Sequence, residues 1–368
     1  MKKILALLLV FVTIFLSVSC GNNENEDFPP IESTEEESRV MMTFTSGKTT
    51  YTVKYELYRA LFLNYASEYD NGNPAFWDSA ESADAKKEIN NTIISYCADI
   101  YATLQHAKEI GFDAYSSEAD KKIKEYISQS VNGNGEDIEG FGGDYQKYLE
   151  SLTALNLNYS VQDLLYRYAM ATDAILEYYQ GSYDESNPSA DSNEGKLEYS
   201  ESDVYDFYYG VDSAHVSIVE INALYIKKAR AEEIRDKIAS YSNSTEALYY
   251  AVSHTSGDPN DILNGVVIGK NSLDSVYYSE VIKAAFALSA NETSRVIEIT
   301  TDTKTSYFIL YKQEKNTEYY ESFKDDISSA YESEMIGKLL LEEKNALIET
   351  LTESDAFKSL KLSEISMK

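Results

Sequence analysis

A-H-V-S-I-V-E-I, residues 214 to 221, alternates strictly: Val216 and Ile218 point one way, and His215, Ser217 and Val219 point the other. That period of two is the mark of a strand with two different faces. Working outward from it, Leu224, Lys227, Ala231, Ile234 and Ile238 recur at helical spacing, with the aliphatic stem of Lys227 at the edge of the stripe. Asn243 or Ser244 caps a second helix through Ala247, Leu248 and Val252, which the turn-forming S-G-D-P of Ser256 to Pro259 ends. Val266 to Ile268 form a short strand closed by Gly269. Tyr277, Val281, Ala284, Ala285 and Leu288 predict a further helix. Two β-rich runs, Val296 to Thr300 and Tyr307 to Tyr311, are placed to pair across the polar turn Thr301 to Thr305.

Four strings in that order resemble the parvulin-type peptidyl-prolyl isomerase domain. His215 to Ile218 (H-V-S-I) resembles the family's opening H-I-L-V, and Glu280 to Leu288 (E-V-I-K-A-A-F-A-L) resembles its E-F-E-E-A-A-F-A-L. Asn291 to Val296 is similar to its G-E-I-S-x-P-V, and Tyr307 to Lys312 to its G-Y-H-I-I-K-V. The resemblance implies a small antiparallel sheet wrapped by helices over residues 205–313, and a reaction. Rotation about an X-Pro bond faces a barrier of roughly 18–20 kcal/mol, so a catalyst must hold proline in an apolar socket and favour the twisted amide. In parvulins a Met and a Phe line the socket, and two histidines with a Cys or Asp form a hydrogen-bonded group beneath it.

Carried over position by position, the resemblance puts the catalytic histidine at His215 and the second histidine at Phe308, which can neither donate nor accept a hydrogen bond. The socket Met and Phe fall on Tyr277 and Val281, so Tyr277, Val281 and Phe308 are the implied substrate-binding residues. The acidic position falls on Leu263, or on Asp261 if the alignment slips by two. His215 also reads simply as a packed histidine at a strand start, and Phe308 and Phe286 as core. The catalytic positions are thus mostly replaced, and isomerase activity stays open.

The chain has 368 residues, enough for two or three domains. Residues 1–20 read as a secretion signal: Lys2 and Lys3 precede the apolar run Ile4 to Leu16. Leu16-Ser17-Val18-Ser19-Cys20 resembles a bacterial lipobox, which implies lipidation of Cys20 and a membrane anchor; the other reading is ordinary cleavage. Residues 21–39 are polar and acidic, with Pro29 and Pro30, and predict a disordered tether.

Val40, Met42 and Phe44 alternate, Ser46-Gly47-Lys48 turns, and Tyr51 and Val53 alternate again, so a hairpin is expected before the helix that starts Y-E-L-Y-R-A-L. That layout resembles the N-terminal module of the PrsA and SurA class of extracytoplasmic foldases. Helices are expected from Ala83 to Glu109 (stopped by Gly111), Glu118 to Ser130, Tyr145 to Leu155, and Val161 to Tyr179. Cys97, among Ile89, Ile93, Ile94, Ile100 and Leu104, reads as a small core residue. The glycine-rich run Asn132 to Gly143 follows no strand and holds no Lys or Arg, so a linker fits it better than a phosphate cradle. Ser182 to Glu198 is polar, and Ser200 with Asp203 has the capping-box arrangement. Beyond Lys312, Phe323, Ile327, Tyr331, Met335 and Leu339 form one stripe. The foldase resemblance implies that residues 314–368 return to the helical module of 40–204. The expected class is therefore α+β: a mostly helical chaperone module with an inserted parvulin-like domain.

A net charge of −30 argues against nucleic acid and disfavours acidic clients. The 32 tyrosines suit loose contact with many sequences, or half-buried helix faces. With His106, His215 and His254 far apart and no cysteine cluster, no metal site is expected, and nothing implies a cofactor. Three functions follow. The first is an anchored extracytoplasmic chaperone of unfolded or partly folded secreted polypeptides, with weak or absent isomerase activity. The second is an active parvulin-type isomerase. The third is a non-catalytic surface lipoprotein for solute binding or assembly.

Overall fold

The structure, a computed structural model, describes residues 28–133, 140–181, 195–241, 243–273, 277–300 and 305–366. Cys20 and the leader around it lie outside the described residues, as do residues 134–139 of the glycine-rich run and 301–304 of the expected turn. No helix among the described residues is long and apolar enough to cross a membrane.

In chain order the elements begin β1 (Val40–Ser46), β2 (Thr49–Lys54), α1 (Tyr55–Asp70), α2 (Ala83–Glu109), α3 (Ser117–Asn132), α4 (Tyr145–Ala154), α5 (Tyr159–Gln180) and α6 (Glu201–Tyr209). Then come β3 (Ser213–Asn222), α7 (Lys228–Ser240), α8 (Ser244–Val252), α9 (Pro259–Leu263), β4 (Val266–Gly269), α10 (Ser279–Ala287), β5 (Ile297–Thr300) and β6 (Thr305–Lys312). The chain ends in α11 (Thr317–Ser322), α12 (Lys324–Glu349), β7 (Thr352–Glu353) and α13 (Asp355–Lys358). Helices with two small antiparallel sheets make this an α+β protein, as expected. Two compact units divide the described residues, the first holding residues 28–178 together with 340–366, and the second the described residues between 179 and 339.

The first unit is built on a hairpin. Gly47 takes φ 56° in the turn, a conformation that glycine adopts without strain, and sets Phe44 opposite Tyr51. On the other edge of β1 the short β7 adds a third strand, pairing Met42 with Glu353. Ser354 seals that join, its N–H donating to the Met41 carbonyl at 3.0 Å and its hydroxyl to the Val40 carbonyl at 2.8 Å. Phe357 of α13 then meets Tyr58 of α1 edge-on at 5.5 Å. Along α2, Ile89, Ile93, Cys97, Ile100 and Leu104 are buried at helical spacing, and burial pushes the Cys97 thiol far up, so it is an inert core residue. Gly111, at φ 107°, follows the end of α2.

From Phe28 onward the stretch expected to be a loose tether is held against this unit. Tyr145 donates to the Pro29 carbonyl at 2.8 Å, the Phe28 ring lies 5.1 Å from that of Tyr145, and Arg59 binds Glu37 at 2.8 Å. These contacts are polar or aromatic and join residues far apart in the chain, so no hydrophobic period announces them.

Asp173 on α5 is pushed up to about 6 by burial. A carboxyl with a folded pKa above its unfolded value near 3.8 contributes most below that value, and the contribution is lost as the pH rises through about 6. Asp173→Asn therefore raises stability at pH 7.5 by about 1–2 kcal/mol and changes little at pH 3.5. Urea unfolding at the two pH values measures the difference.

The second unit is a four-stranded antiparallel sheet of order β4-β3-β6-β5 with a core on each face. One face carries Ala214, Val216, Ile297, Phe308 and Leu310 against Val281, Ile282 and Ala285 of α10. The other carries Val219, Ile221, Ile309 and Tyr311 against α7, α8 and Ile262 of α9. A third cluster joins Val204, Phe207 and Tyr208 of α6 to Tyr319, Tyr320 and Ile327. The unit is therefore wider than the expected 205–313, because α6 and the first turns of α12 have their apolar partners here. Ser200 and Asp203 form the expected capping box on α6.

Candidate functional site

A cleft of about 400 Å³ opens in the second unit, walled by α9, β4, Tyr277, Tyr319, Phe323 and Asp326. Local signals set each wall. Asp258 caps α9, accepting from the Asn260 N–H at 2.8 Å with Pro259 in the first turn, and this places Asp261 in the lining. Gly265, at φ 77°, turns the chain into β4. Asn316 caps α11 by accepting from the Tyr319 N–H at 2.8 Å, and the Tyr319 hydroxyl donates to the Gly265 carbonyl at 3.1 Å. Phe323 stacks on Tyr319 at 4.6 Å.

The cleft is acidic and phenolic. Burial, then Asp261 and Asp326, push the Tyr277 phenol up to about 12. Burial, then Asp326 among its neighbours, pushes the Tyr319 phenol up further. Burial and the nearby Asp258 raise the Asp261 carboxyl. Such a lining can accept a cation or a hydrogen-bond donor on an aromatic floor.

Behind that floor sits His215, only 1 % exposed, with the Tyr319 ring 4.0 Å from its own. Its Nε2 lies 2.9 Å from the Asn264 carbonyl. A carbonyl only accepts, so Nε2 carries the proton and Nδ1 is left as an acceptor. Nδ1 is enclosed, near the Glu314 backbone but without a partner at hydrogen-bonding geometry. Burial lowers the His215 pKa against the pull of the Asn264 carbonyl, so the ring is neutral at neutral pH. A histidine with a folded pKa below its unfolded one contributes fully above about 6.5, and that stability is lost as the pH falls. The unfolding midpoint of the second unit should therefore drop between pH 7.5 and 5.5, and drop less in His215→Gln.

Strand register separates the residues that the sequence grouped. Phe308 pairs with Glu220 and so shares the face of Ala214 and Val216, whereas His215 points to the opposite face. Val281, 1 % exposed, packs on the Phe308 face as core. Of the three implied socket residues only Tyr277 lines the cleft, where Asp261 joins it.

Residues that no motif signalled complete the surroundings of His215. Gln313, whose N–H donates to the His215 carbonyl, binds the Ser217 hydroxyl at 2.7 Å, and Ser217 donates to the Ile262 carbonyl at 2.7 Å. Lys315 donates to the carbonyls of Gly210 at 2.7 Å and Ser213 at 2.9 Å, and burial, with Lys312 nearby, pushes its ammonium down to about 8. The alternation of β3 already places Ser217 on the face of His215. Nothing short of the register reveals Gln313.

No protein-family model matches the chain, and no curated protein matches its sequence. Solved structures do. The foldase protein PrsA of Streptococcus pneumoniae is 14% identical over 81% of this chain and 94% of its own, with a TM-score of 0.30. PrsA of Bacillus subtilis is 15% identical over 90% of this chain and 99% of its own, with a TM-score of 0.23. The Lactococcus lactis foldase protein PrsA is 15% identical over 89% of this chain and 100% of its own, with a TM-score of 0.24.

Proposed function

We propose that this chain is an extracytoplasmic chaperone of the foldase kind, anchored to the membrane through a lipid on Cys20, that binds unfolded or partly folded secreted polypeptides and has weak or absent prolyl isomerase activity. One observation carries the second half of that reading: the only histidine retained from the parvulin pattern is sealed and neutral, with its single proton committed to the Asn264 carbonyl. A group that cannot reach a substrate cannot stabilise a twisted amide. Phe308, in the place of the second histidine, is core on the other face of the sheet.

Support for client binding comes from the cleft. Tyr277, Tyr319 and Phe323 offer aromatic faces, and Asp261 and Asp326 offer negative charge, which suits aromatic and basic side chains of an extended chain. The overall charge of −30 works the same way, repelling acidic clients and nucleic acid.

A paired assay tests the reading. X-Pro isomerisation of a short peptide is followed beside suppression of aggregation of a denatured basic client, for the parent protein, His215→Ala and Tyr277→Ala. The expected result is no isomerisation above the spontaneous rate, with anti-aggregation intact in the parent and weakened several-fold in Tyr277→Ala. Isomerase activity that disappears in His215→Ala would instead establish a working enzyme. Failure of both activities in the parent would leave a non-catalytic surface lipoprotein.

A further inference from the structure

In the first unit, α2 and the last turns of α12 bring three metal-ligating side chains together. His106, Glu109 and Glu343 present one ligand atom each, and these atoms all lie within 4.8 Å of one another. His106 and Glu109 are three residues apart on α2, hence on one helical face, and Glu343 reaches them across 237 residues of chain. The geometry points to a binding site for one divalent transition ion of the zinc class, held by the His106 imidazole and the Glu109 and Glu343 carboxylates.

Three observations carry this. First, the site is charge-imbalanced. Among the described residues no lysine or arginine pairs with Glu109 or Glu343, so two carboxylates share a small space with only an imidazole between them. Tyr51, beside them, has its phenol pushed up by burial and then by Glu109 and Glu343 among its neighbours. Two carboxylates so placed attract a cation.

Second, coordination capacity is in place. His106 Nδ1 lies 2.7 Å from Glu343 Oε1, while Glu343 Oε2 is enclosed and accepts no hydrogen bond. A small movement apart of the nitrogen and the oxygen would admit an ion at about 2.0–2.2 Å from each. Third, the outer partner of Glu109 is fixed. Gln105 donates to Glu109 Oε1 at 3.0 Å and accepts from the Tyr51 hydroxyl at 3.3 Å, the kind of second layer that orients a metal-binding carboxylate. One nitrogen and carboxylate oxygens suit zinc or cobalt better than magnesium, and water would fill the remaining position. Bound there, the ion would staple the end of α12 to α2.

The test is a titration of the chelator-treated, dialysed full-length protein with Co²⁺, followed by its visible absorption, and zinc content after gel filtration. Saturable uptake of one equivalent is expected, with Mg²⁺ failing to compete. Glu109→Gln, at an exposed position where folding is undisturbed, should weaken Co²⁺ binding at least tenfold, as should Glu343→Gln. Far-UV circular dichroism checks that both variants keep the parent fold. Absence of saturable uptake by the parent would overturn the site. Equal uptake by the parent and Glu109→Gln would overturn the ligand set.

Discussion

Trp77→Ala should lower the stability of the first unit by about 3–5 kcal/mol. Trp77 is 1 % exposed and lies in a short 3₁₀ turn, Pro74–Asp78, which Asn73 caps by accepting from the Ala75 N–H. Its ring meets Phe62 at 5.2 Å, Phe76 at 5.2 Å and Tyr69 at 6.1 Å. Its indole N–H donates to Asp70 Oδ2 at 2.7 Å, and the Gly72 N–H donates to the other carboxylate oxygen at 2.8 Å. Alanine thus removes the packing and also takes the donor from one oxygen of the buried Asp70 carboxylate. Trp77→Phe separates the two effects: most packing stays and the unpaired oxygen remains, so a loss of about 1–3 kcal/mol is expected. Denaturant unfolding followed by circular dichroism measures both. In the parent, fluorescence of this single tryptophan reports on the first unit alone. A loss below about 1 kcal/mol in Trp77→Ala would mean that the turn is not part of the cooperative core.

None of the Trp77 contacts was legible in the sequence, and the reason is physical. A 3₁₀ turn of five residues has no amphipathic period to read, and its partners come from α1 and from the C-terminal segment, where Ser363 donates to Asp78 at 2.9 Å. By contrast, α2 was legible along nearly its whole length, because Ile89, Ile93, Cys97, Ile100 and Leu104 repeat at the helical period. The hairpin, the alternation of β3 and the cap at Ser200 were legible for the same reason, since each is a short-range pattern with a short-range cause.

The candidate site was legible only in part. Tyr277 and Asp261 entered through the aligned strings, but Tyr319, Phe323 and Asp326 lie beyond them, on α11 and α12 or between the two, and no spacing links them to α9. The separation of Phe308 from His215 follows from the β3–β6 register, which aligned strings cannot supply.

Tyrosine usage is explained by the same contacts. Tyr58 donates to Asn90 at 2.6 Å, Tyr101 to the Thr52 carbonyl at 2.7 Å and Tyr168 to Asp99 at 2.8 Å. The rings of Tyr58 and Tyr101 are buried and that of Tyr168 half-buried, and each ties a hydroxyl to a neighbouring element, so these tyrosines are structural cross-links in a helical scaffold. The exposed minority, including Tyr225 and Tyr249, remains for surface contact.

Gly265→Ala should cost the second unit about 2–4 kcal/mol, the sum of backbone strain and overpacking. At φ 77° a side chain is strained whatever the space around it, and here there is none. A Cβ would lie 2.7 Å from His215 Nε2 and 2.8 Å from Gln313 Nε2. Both are held in place, one by the Asn264 carbonyl and the other by Ser217, so neither can swing away without breaking a buried hydrogen bond. Gly47→Ala supplies the comparison: its φ is 56° with nothing within 4 Å of the added carbon, so strain acts alone and about 1 kcal/mol is expected. The excess at Gly265 measures how rigidly His215 is held. If the two variants lose equal stability, the ring yields freely, the seal around the histidine is loose, and the case for an inactive isomerase site loses its main support.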